Sequence, residues 1–468
     1  MVPLTVDEIA DSTEGILLSG SAGFKVLGIS IDSRTTKSGD LFIPLRGETD
    51  GHQYIFDALR KGAAGFLVEK GSYQKERLVG LAGSQFVIEV NDCLKALQDI
   101  AAYYRSKLPI KVIGVTGSTG KTTTKDMLNC VLAHKFRVVS TDKNFNNEIG
   151  VPLTILRTDA ETQVLVVEMG MRGQGQIKEL AQIAKPNIGV VTNIGQAHME
   201  LLGSEEMIAR AKAELIESLP EDGVAVLNGD DLWTPDITQY ACAKTVTYGI
   251  ASGDIRGSEL DVDELGRASF RLDIGKGTDY IVRLAVPGRH NVYNALAVAA
   301  VATELGLSVD EIRIGLSGCR STSMRMEVFT TADNVLILND AYNANPSSMQ
   351  AALLTLMDIS TQPQGRHVAV LGDMLELGPV SNEAHKEIGE LVASLRINIL
   401  VAVGIESQAM ADSAIKNGMN AKAVVTCPDA ATAAQLLKQL IMPGDAVLVK
   451  ASRGVGLEVV VRALVKIV

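Results

Sequence analysis

Little in this chain points to secretion, a membrane or a zinc centre. Its five cysteines in 468 residues are scattered, with no CxxC pair. That excludes a disulfide framework and a zinc finger or ribbon, and it fits buried or inert thiols in a reducing compartment. No Lys or Arg precedes Lys25, so the start lacks the charged end of a signal peptide. The Ala-rich stretch from Ala295 to Leu307 is interrupted by Glu304 and is too short to span a bilayer. A net charge of −11 leaves no broad basic footprint for nucleic acid, although a local phosphate pocket remains compatible with it. Internal repeats, low-complexity tracts and a GxGxxG motif are all absent. Aromatic residues are few, at 4%, whereas glycine is abundant, at 43 residues. That balance suits α/β domains with tight turns and Val/Ile/Leu strands. A cytoplasmic monomer is expected.

What is there divides into three units, as the length leads one to expect. The expected fold is α/β: a small α/β unit over 1–108, a central phosphate-loop unit over 109–322 with a doubly wound parallel sheet, and a Rossmann-like unit over 323–468. In the first unit DLFIPLRG, GFLVE and SQFVIEV read as strands, with a helix between the first two and another from Cys93 to Lys107. In the second, IKVIGVTG, VLVVEMG, NIGVVTNIG and GVAVLNGDD are near-continuous apolar runs, as in strands covered on both faces. The helix after the first of these should bury Met127, Val131 and His134 on one face. KTVTYGI, ASFRLDI and DYIVRLAV alternate instead, which predicts a small antiparallel patch over 244–287. The third unit repeats the strand–helix pattern with VLILND, HVAVLGD, NILVAVG, AVVT and DAVLVKAS.

The strongest single signal is Thr116-Gly117-Ser118-Thr119-Gly120-Lys121-Thr122-Thr123, between a predicted strand and a predicted helix. Glycines let backbone N–H groups turn around phosphate oxygens, and the helix N-terminus adds a favourable dipole. Lys121 suits the β- and γ-phosphates of ATP, and the Thr122 hydroxyl suits Mg²⁺. The loop matches the usual phosphate-loop pattern only in its second half: Val115 stands where the first glycine is usual, and Gly114 comes one residue early.

This shortened loop resembles that of the Mur ligases and folylpolyglutamate synthases. Other segments resemble the Mur ligases too. NFNNEIGVP, with Asn146 and Asn147, is similar to a loop near the muramoyl substrate. VEMGMR places Glu168 at a strand end, where the family has a Mg²⁺ carboxylate. TNIGQAHME supplies His198, matching a ligand or neighbour of a second metal. RAKAEL supplies Lys212, matching a lysine that is carbamylated in several members. The segment from Gly288 to Ala295 matches one in which an Asn, here Asn291, approaches adenine. NDAYNANPSSM, LGDMLELG and KASRGVGLE resemble the branch of the family that adds D-alanyl-D-alanine. DSR, GDLFIPLRGE and DGH resemble its uridine-nucleotide unit. Met324-Arg325 departs from the Gly-Arg of many relatives: the arginine is kept, and the turn that a glycine serves is left open.

The resemblance implies an ATP-dependent amide ligase that joins D-alanyl-D-alanine to UDP-MurNAc-tripeptide through an acyl phosphate. The third residue of that peptide, diaminopimelate or lysine, stays open. Lys121, Glu168, His198 and a carbamylated Lys212 would carry catalysis. Two Mg²⁺ ions would use Thr122, Glu168 and His198. Gly117 to Thr123, Asn291, Arg325 and Asp340 would hold ATP. Ser33, Arg34, Asp50, His52, Asn146, Asn147, Asn343, Asn345, Asp373, Glu376 and Arg453 would hold the other substrates. Plainer roles exist for several of these residues: Lys212 on a solvated helix face, Asn291, Asp373 and Glu376 as helix caps, Arg453 as a loop brace. The competing functions are another amino-acid-adding ligase of the same family, a plain phosphate-loop ATPase or kinase, and a catalytically silent binding protein on the same fold.

Overall fold

The computed structural model describes residues 1–72, 85–142, 144–195, 199–275 and 280–465. Three large sheets follow one another along the chain, and the central one positions the site.

The first sheet has five strands in the order Ile16–Ser19, Phe86–Val90, Gly65–Glu69, Asp40–Phe42 and Gly28–Ser30. All neighbours run parallel except the Ile16–Ser19 edge. The strand expected over DLFIPLRG is shorter than its apolar run, because the chain turns at Pro44 and bridges back from Arg46 to Asp50. The helix Val6–Ser12 escaped the sequence reading, although Thr5 and Glu8 form a capping box at its start. The helix Cys93–Ser106 begins where the Asp92 carboxylate accepts the Lys95 N–H at 2.8 Å. It couples the first sheet to the second. The buried Tyr104 hydroxyl donates to Thr158 O at 2.7 Å and accepts from Val2 N–H at 2.8 Å. Buried Arg105 donates to the carbonyls of Ala184, Leu108 and Ile110 at 3.0, 3.0 and 3.3 Å.

The central sheet has nine strands. From one edge they are Val138–Ser140, Val164–Glu168, Lys111–Thr116, Ile188–Val191, Val224–Asn228, Lys244–Gly249, Ile255–Val262, Arg267–Asp273 and Tyr280–Pro287. KTVTYGI corrects the sequence reading. It pairs parallel to Val224–Asn228 and belongs to the main sheet. Its alternation, with Val246 and Tyr248 buried and Lys244 exposed, mimics an antiparallel strand. The antiparallel part is the last three strands, and it continues the same sheet. The helices Lys121–Leu132 and Asn291–Glu304 fill one face of the sheet with apolar side chains. The helices Gln176–Ala184 and Glu205–Glu217, with Cys93–Ser106, fill the other. Met127 and Val131 are buried as expected. His134 is exposed, because the helix ends at Leu132.

The third sheet runs Glu327–Thr330, Leu336–Asn339, Ala446–Lys450, His367–Gly372, Ile399–Val403 and Val424–Cys427. It is parallel apart from its first strand, which the sequence reading missed. Among the described residues no helix is long and apolar enough to cross a membrane.

Candidate active site

A parallel strand delivers its last residues to one end of the sheet, where ligands of α/β folds bind. Thr116 ends one such strand and Glu168 ends its neighbour, with Glu168 in register with Val115. The phosphate loop leaves Thr116 and turns into the helix starting at Lys121. Two glycines make the turn. Gly117 has φ +148° and lies so close to Thr192 that an added Cβ would stand 1.8 Å from the Thr192 hydroxyl. Gly120 has φ +78°, with Asn294 Oδ1 2.4 Å from where its Cβ would be. The loop is braced from the next strand. Ser118 N–H donates to Asn193 O at 2.9 Å, and Thr119 N–H donates to Asn193 Oδ1 at 3.0 Å. The Thr192 hydroxyl donates to Thr119 O at 2.5 Å.

Opposite this loop, the Thr122 hydroxyl donates to Glu168 Oε2 at 2.7 Å. The other Glu168 oxygen accepts from Asn146 Nδ2 at 2.8 Å. Glu168 is itself held by its N–H, which donates to the Thr141 hydroxyl at 3.0 Å. Lys121 is half-buried and its ammonium donates to Gly117 O at 2.8 Å. Burial lowers its pKa, the Glu168 carboxylate raises it in part, and the charge of Arg325 lowers it further.

Arg325 arrives from the third unit, just before that sheet begins. Its guanidinium stacks on the Tyr342 ring at 4.1 Å. Met324 beside it has φ +60°. It therefore adopts the left-handed backbone that glycine favours, without being a glycine. Asp340 follows the strand Leu336–Asn339. Its carboxylate accepts from Met326 N–H at 3.1 Å and pairs with Lys450 at 2.5 Å. Lys450 is 2% exposed and also donates to Asn343 O at 2.9 Å. The sequence reading did not single out Lys450 or Tyr342. Only half of the signal was in the sequence: the apolar runs VLILND and DAVLVKAS each lead into an ionisable residue, of opposite sign.

These groups line one cavity of about 720 Å³ between the central and third sheets. Of the residues expected from the sequence, it gathers Ser118 to Thr123, Asn146, Asn147, Glu168, Asn291, Arg325, Asp340, Asn343, Asn345 and Glu376. Asn291 is 1% exposed. Its amide donates to Pro287 O at 2.6 Å and its oxygen accepts from Asn294 at 2.8 Å, so little of it faces the cavity. Asn147 accepts Gly150 N–H at 2.9 Å, and Asn345 caps the helix Pro346–Asp358.

Other expected residues do not line this cavity. Lys212 is 2% exposed, which rules out a solvated helix face. Burial, and then the charge of Lys121, hold its pKa well below the usual lysine value. Asp373 commits both carboxylate oxygens to protein: Oδ1 accepts from Ser407 N–H and its hydroxyl at 2.7 and 2.6 Å, and Oδ2 accepts from Ile405 N–H at 3.1 Å. It shapes the start of the helix Ser407–Lys416. Arg453 reaches Met324 Sδ at 3.2 Å and Glu458 at 3.6 Å. Ser33, Arg34, Asp50 and His52 sit on the first unit. Arg34 is bidentate to Asp32, while Ser33 is buried. His52 is 3% exposed, with Nδ1 2.7 Å from Asp50 and Nε2 accepting Glu69 N–H at 3.3 Å. That pairing puts the ring proton on Nδ1 and leaves the ring no free nitrogen. His198 lies outside the described residues.

Three family models match the chain: Mur ligase family, catalytic domain, over 25–105; Mur ligase middle domain over 115–302; and Mur ligase, glutamate ligase domain, over 324–453. The UDP-N-acetylmuramoyl-tripeptide–D-alanyl-D-alanine ligase of Bacillus subtilis is 38% identical, over 100% of this chain and 99% of its own. A crystal structure of MurF from Acinetobacter baumannii superimposes with a TM-score of 0.89 at 30% identity, covering 99% of each chain. MurF ligase from Thermotoga maritima, solved in complex with ADP, gives 0.81 at 29% identity, covering 94% of this chain and 97% of that one.

Proposed function

The chain belongs to the Mur ligase family, and from that premise we propose how its cavity works. It is an ATP-dependent ligase that forms a C–N bond, joining D-alanyl-D-alanine to UDP-N-acetylmuramoyl-tripeptide in peptidoglycan synthesis. The observation that carries the mechanism is the meeting, in one cavity, of the phosphate loop, Glu168 and the Arg325–Asp340–Lys450 group of the third unit.

A carboxylate is a poor electrophile, since attack on it must expel oxide. Transfer of the γ-phosphoryl of ATP to the peptide's terminal carboxylate makes that oxygen a leaving group and releases ADP. The free amine of the dipeptide then attacks the acyl carbon. The tetrahedral intermediate loses a proton and collapses to amide and phosphate. The first step brings two anions together, so it depends on placed positive charge. Lys121 holds the β- and γ-phosphates, and Arg325 the γ-phosphate. The Tyr342 ring keeps the guanidinium flat and aimed.

The donors fit Mg²⁺. Thr122 and Glu168 present hard oxygens 2.7 Å apart beside the phosphate loop. Among the described residues no cluster of three His, Cys, Asp or Glu is present. Mg²⁺ needs none, because it takes one or two carboxylates together with phosphate and water oxygens. When bound, it draws charge from the phosphate oxygens. Burial and the charge of Lys121 favour the neutral amine of Lys212, the form that adds CO₂ with loss of a proton to give a carbamate. That anion beside Lys121, with His198, would serve a second Mg²⁺. The unit over 1–108, with Ser33, Arg34 and Asp50, takes the UDP-linked end, and His52 orders Asp50 from behind. The unit over 323–468 takes the dipeptide through Asn343, Asn345, Glu376 and Arg453. In this reading an ATP-driven step on a UDP-linked precursor belongs in the cytoplasm.

The test is phosphate release with ATP, Mg²⁺ and UDP-MurNAc-tripeptide, comparing D-alanyl-D-alanine with diaminopimelate, lysine and glutamate. Release that requires the dipeptide, with a UDP-linked pentapeptide product, is the expected result. Release with a single amino acid would move the chain to another branch of the family. Release without any amine would overturn the ligase mechanism.

A further inference from the structure

Two cysteines that stand 189 positions apart in the sequence meet at the far end of the phosphate-loop helix. Cys130 lies in the last turn of Lys121–Leu132, and Cys319 directly follows the helix Val309–Gly318. Both thiols reach one acceptor: Cys319 Sγ is 3.0 Å and Cys130 Sγ 3.4 Å from Gly315 O. The shared acceptor sets the two sulfurs side by side. The close approach depends on Gly315, where an added Cβ would stand 2.7 Å from Val131 Cα. Cys319 is buried and Cys130 is half-buried, so only one of the pair meets solvent. Scattered in the sequence, these two thiols are brought together by the fold.

Their location gives the pair a consequence for the site. From Cys319 the chain runs back along the same helix towards the cavity. The Thr322 hydroxyl bonds Asp126, and the charge of Arg325 is felt by Lys121. Positions 319, 322 and 325 of the linker thus face positions 130, 126 and 121 of the helix. The third sheet begins at Glu327. This linker is the covalent path between the two walls of the cavity.

We propose that Cys130 and Cys319 are a site of reversible oxidation by hydroperoxides, forming a disulfide that pins the linker to the phosphate-loop helix. The Cys130 thiolate attacks the peroxide oxygen, breaking the O–O bond and giving a sulfenic acid and, after protonation, one water (an alcohol from an alkyl peroxide). The Cys319 sulfur then displaces the sulfenic hydroxyl, which leaves as water with the Cys319 proton. Two thiols lose two electrons and two protons in total, and the peroxide is reduced. Cys130 is the attacking sulfur because it is the accessible one, and the neighbouring Cys319 thiol favours its thiolate, lowering its pKa although burial opposes this.

The intact protein is exposed to hydrogen peroxide, unfolded with N-ethylmaleimide present, and mapped by peptide mass spectrometry. Labelled thiols are expected to fall from five to three, with one cross-linked pair containing Cys130 and Cys319, and to return to five after dithiothreitol. Cys130→Ser and Cys319→Ser should give no such pair. Cys242→Ser, which removes the exposed cysteine, should still give it. A cross-link through Cys242, a sulfinic acid on Cys130 without a cross-link, or five thiols surviving would each overturn the proposal. If a serine variant misfolds, the wild-type peptide map alone decides. Hydrogen exchange over 319–326 should slow on oxidation and recover on reduction; unchanged exchange would overturn the pinning.

Discussion

Gly117→Ala is the sharpest perturbation of the phosphate loop. An Ala Cβ would stand 1.8 Å from the Thr192 hydroxyl and 3.0 Å from Thr192 Cβ, at a φ of +148°. The backbone there costs a non-glycine residue about 1–3 kcal/mol. The Thr192 hydroxyl cannot stay where it is. It gives up its bonds to Thr119 O at 2.5 Å and Thr116 O at 3.3 Å, and a buried group left unpaired costs about 1–3 kcal/mol. The loop conformation that cradles phosphate is therefore disfavoured by at least about 2 kcal/mol, or roughly thirtyfold in kcat/KM for ATP. The assay is initial-rate phosphate release over a range of ATP concentrations, with circular dichroism to check the fold. Thr192→Ala alone should cost only about 1 kcal/mol, since it removes a hydroxyl and adds no clash. The double variant should recover part of the Gly117→Ala loss, because the clashing oxygen is gone. A Gly117→Ala enzyme with wild-type kcat/KM, or a double variant whose loss is the sum of the two singles, would refute the steric argument.

Lys121→Ala should lower phosphate release by about a thousandfold or more while leaving the circular dichroism spectrum unchanged; ligase activity retained would remove the phosphate-loop mechanism. Lys450→Met leaves the Asp340 carboxylate without its buried partner and should cost about 3 kcal/mol in urea unfolding; a change within error would mean that water or rearrangement replaces the ion pair. Lys212 gives a pH prediction in CO₂-free buffer. Its native pKa lies well below its unfolded value, so between the two the unfolded chain binds one proton more. Wild-type stability should therefore rise with pH across that window relative to Lys212→Met, and be fully penalised below it. A difference that falls with pH would contradict a lowered pKa at buried Lys212. Adding bicarbonate should raise wild-type activity and leave Lys212→Met unaffected.

The sequence by itself determined the elements built from local rules. A glycine-punctuated turn between an apolar strand and a helix is a local pattern, and so is a strand that ends in Glu168. Both were legible because φ and capping are decided within a few residues. The same holds for the runs VLVVE and IGVV, covered on both faces, which read as parallel strands without knowledge of their neighbours. KTVTYGI misled because its alternation reports which face is covered, and that depends on other strands. Only the tertiary structure decided which ionisable groups face each other. Asp340 and Lys450 are 110 positions apart, and their strands become neighbours only in the assembled sheet. Asp373 and His52 looked like free functional groups until folding supplied the N–H groups that occupy them. For Lys212 the sequence left a solvated helix face open beside the carbamate that the resemblance implies; burial beside Lys121, which lowers its pKa, removes the first. Cys130 and Cys319 carry no motif at all. Their contact exists because Gly315 lets two helices approach, and a distance of that kind is a property of the packed chain, which no short window of residues encodes.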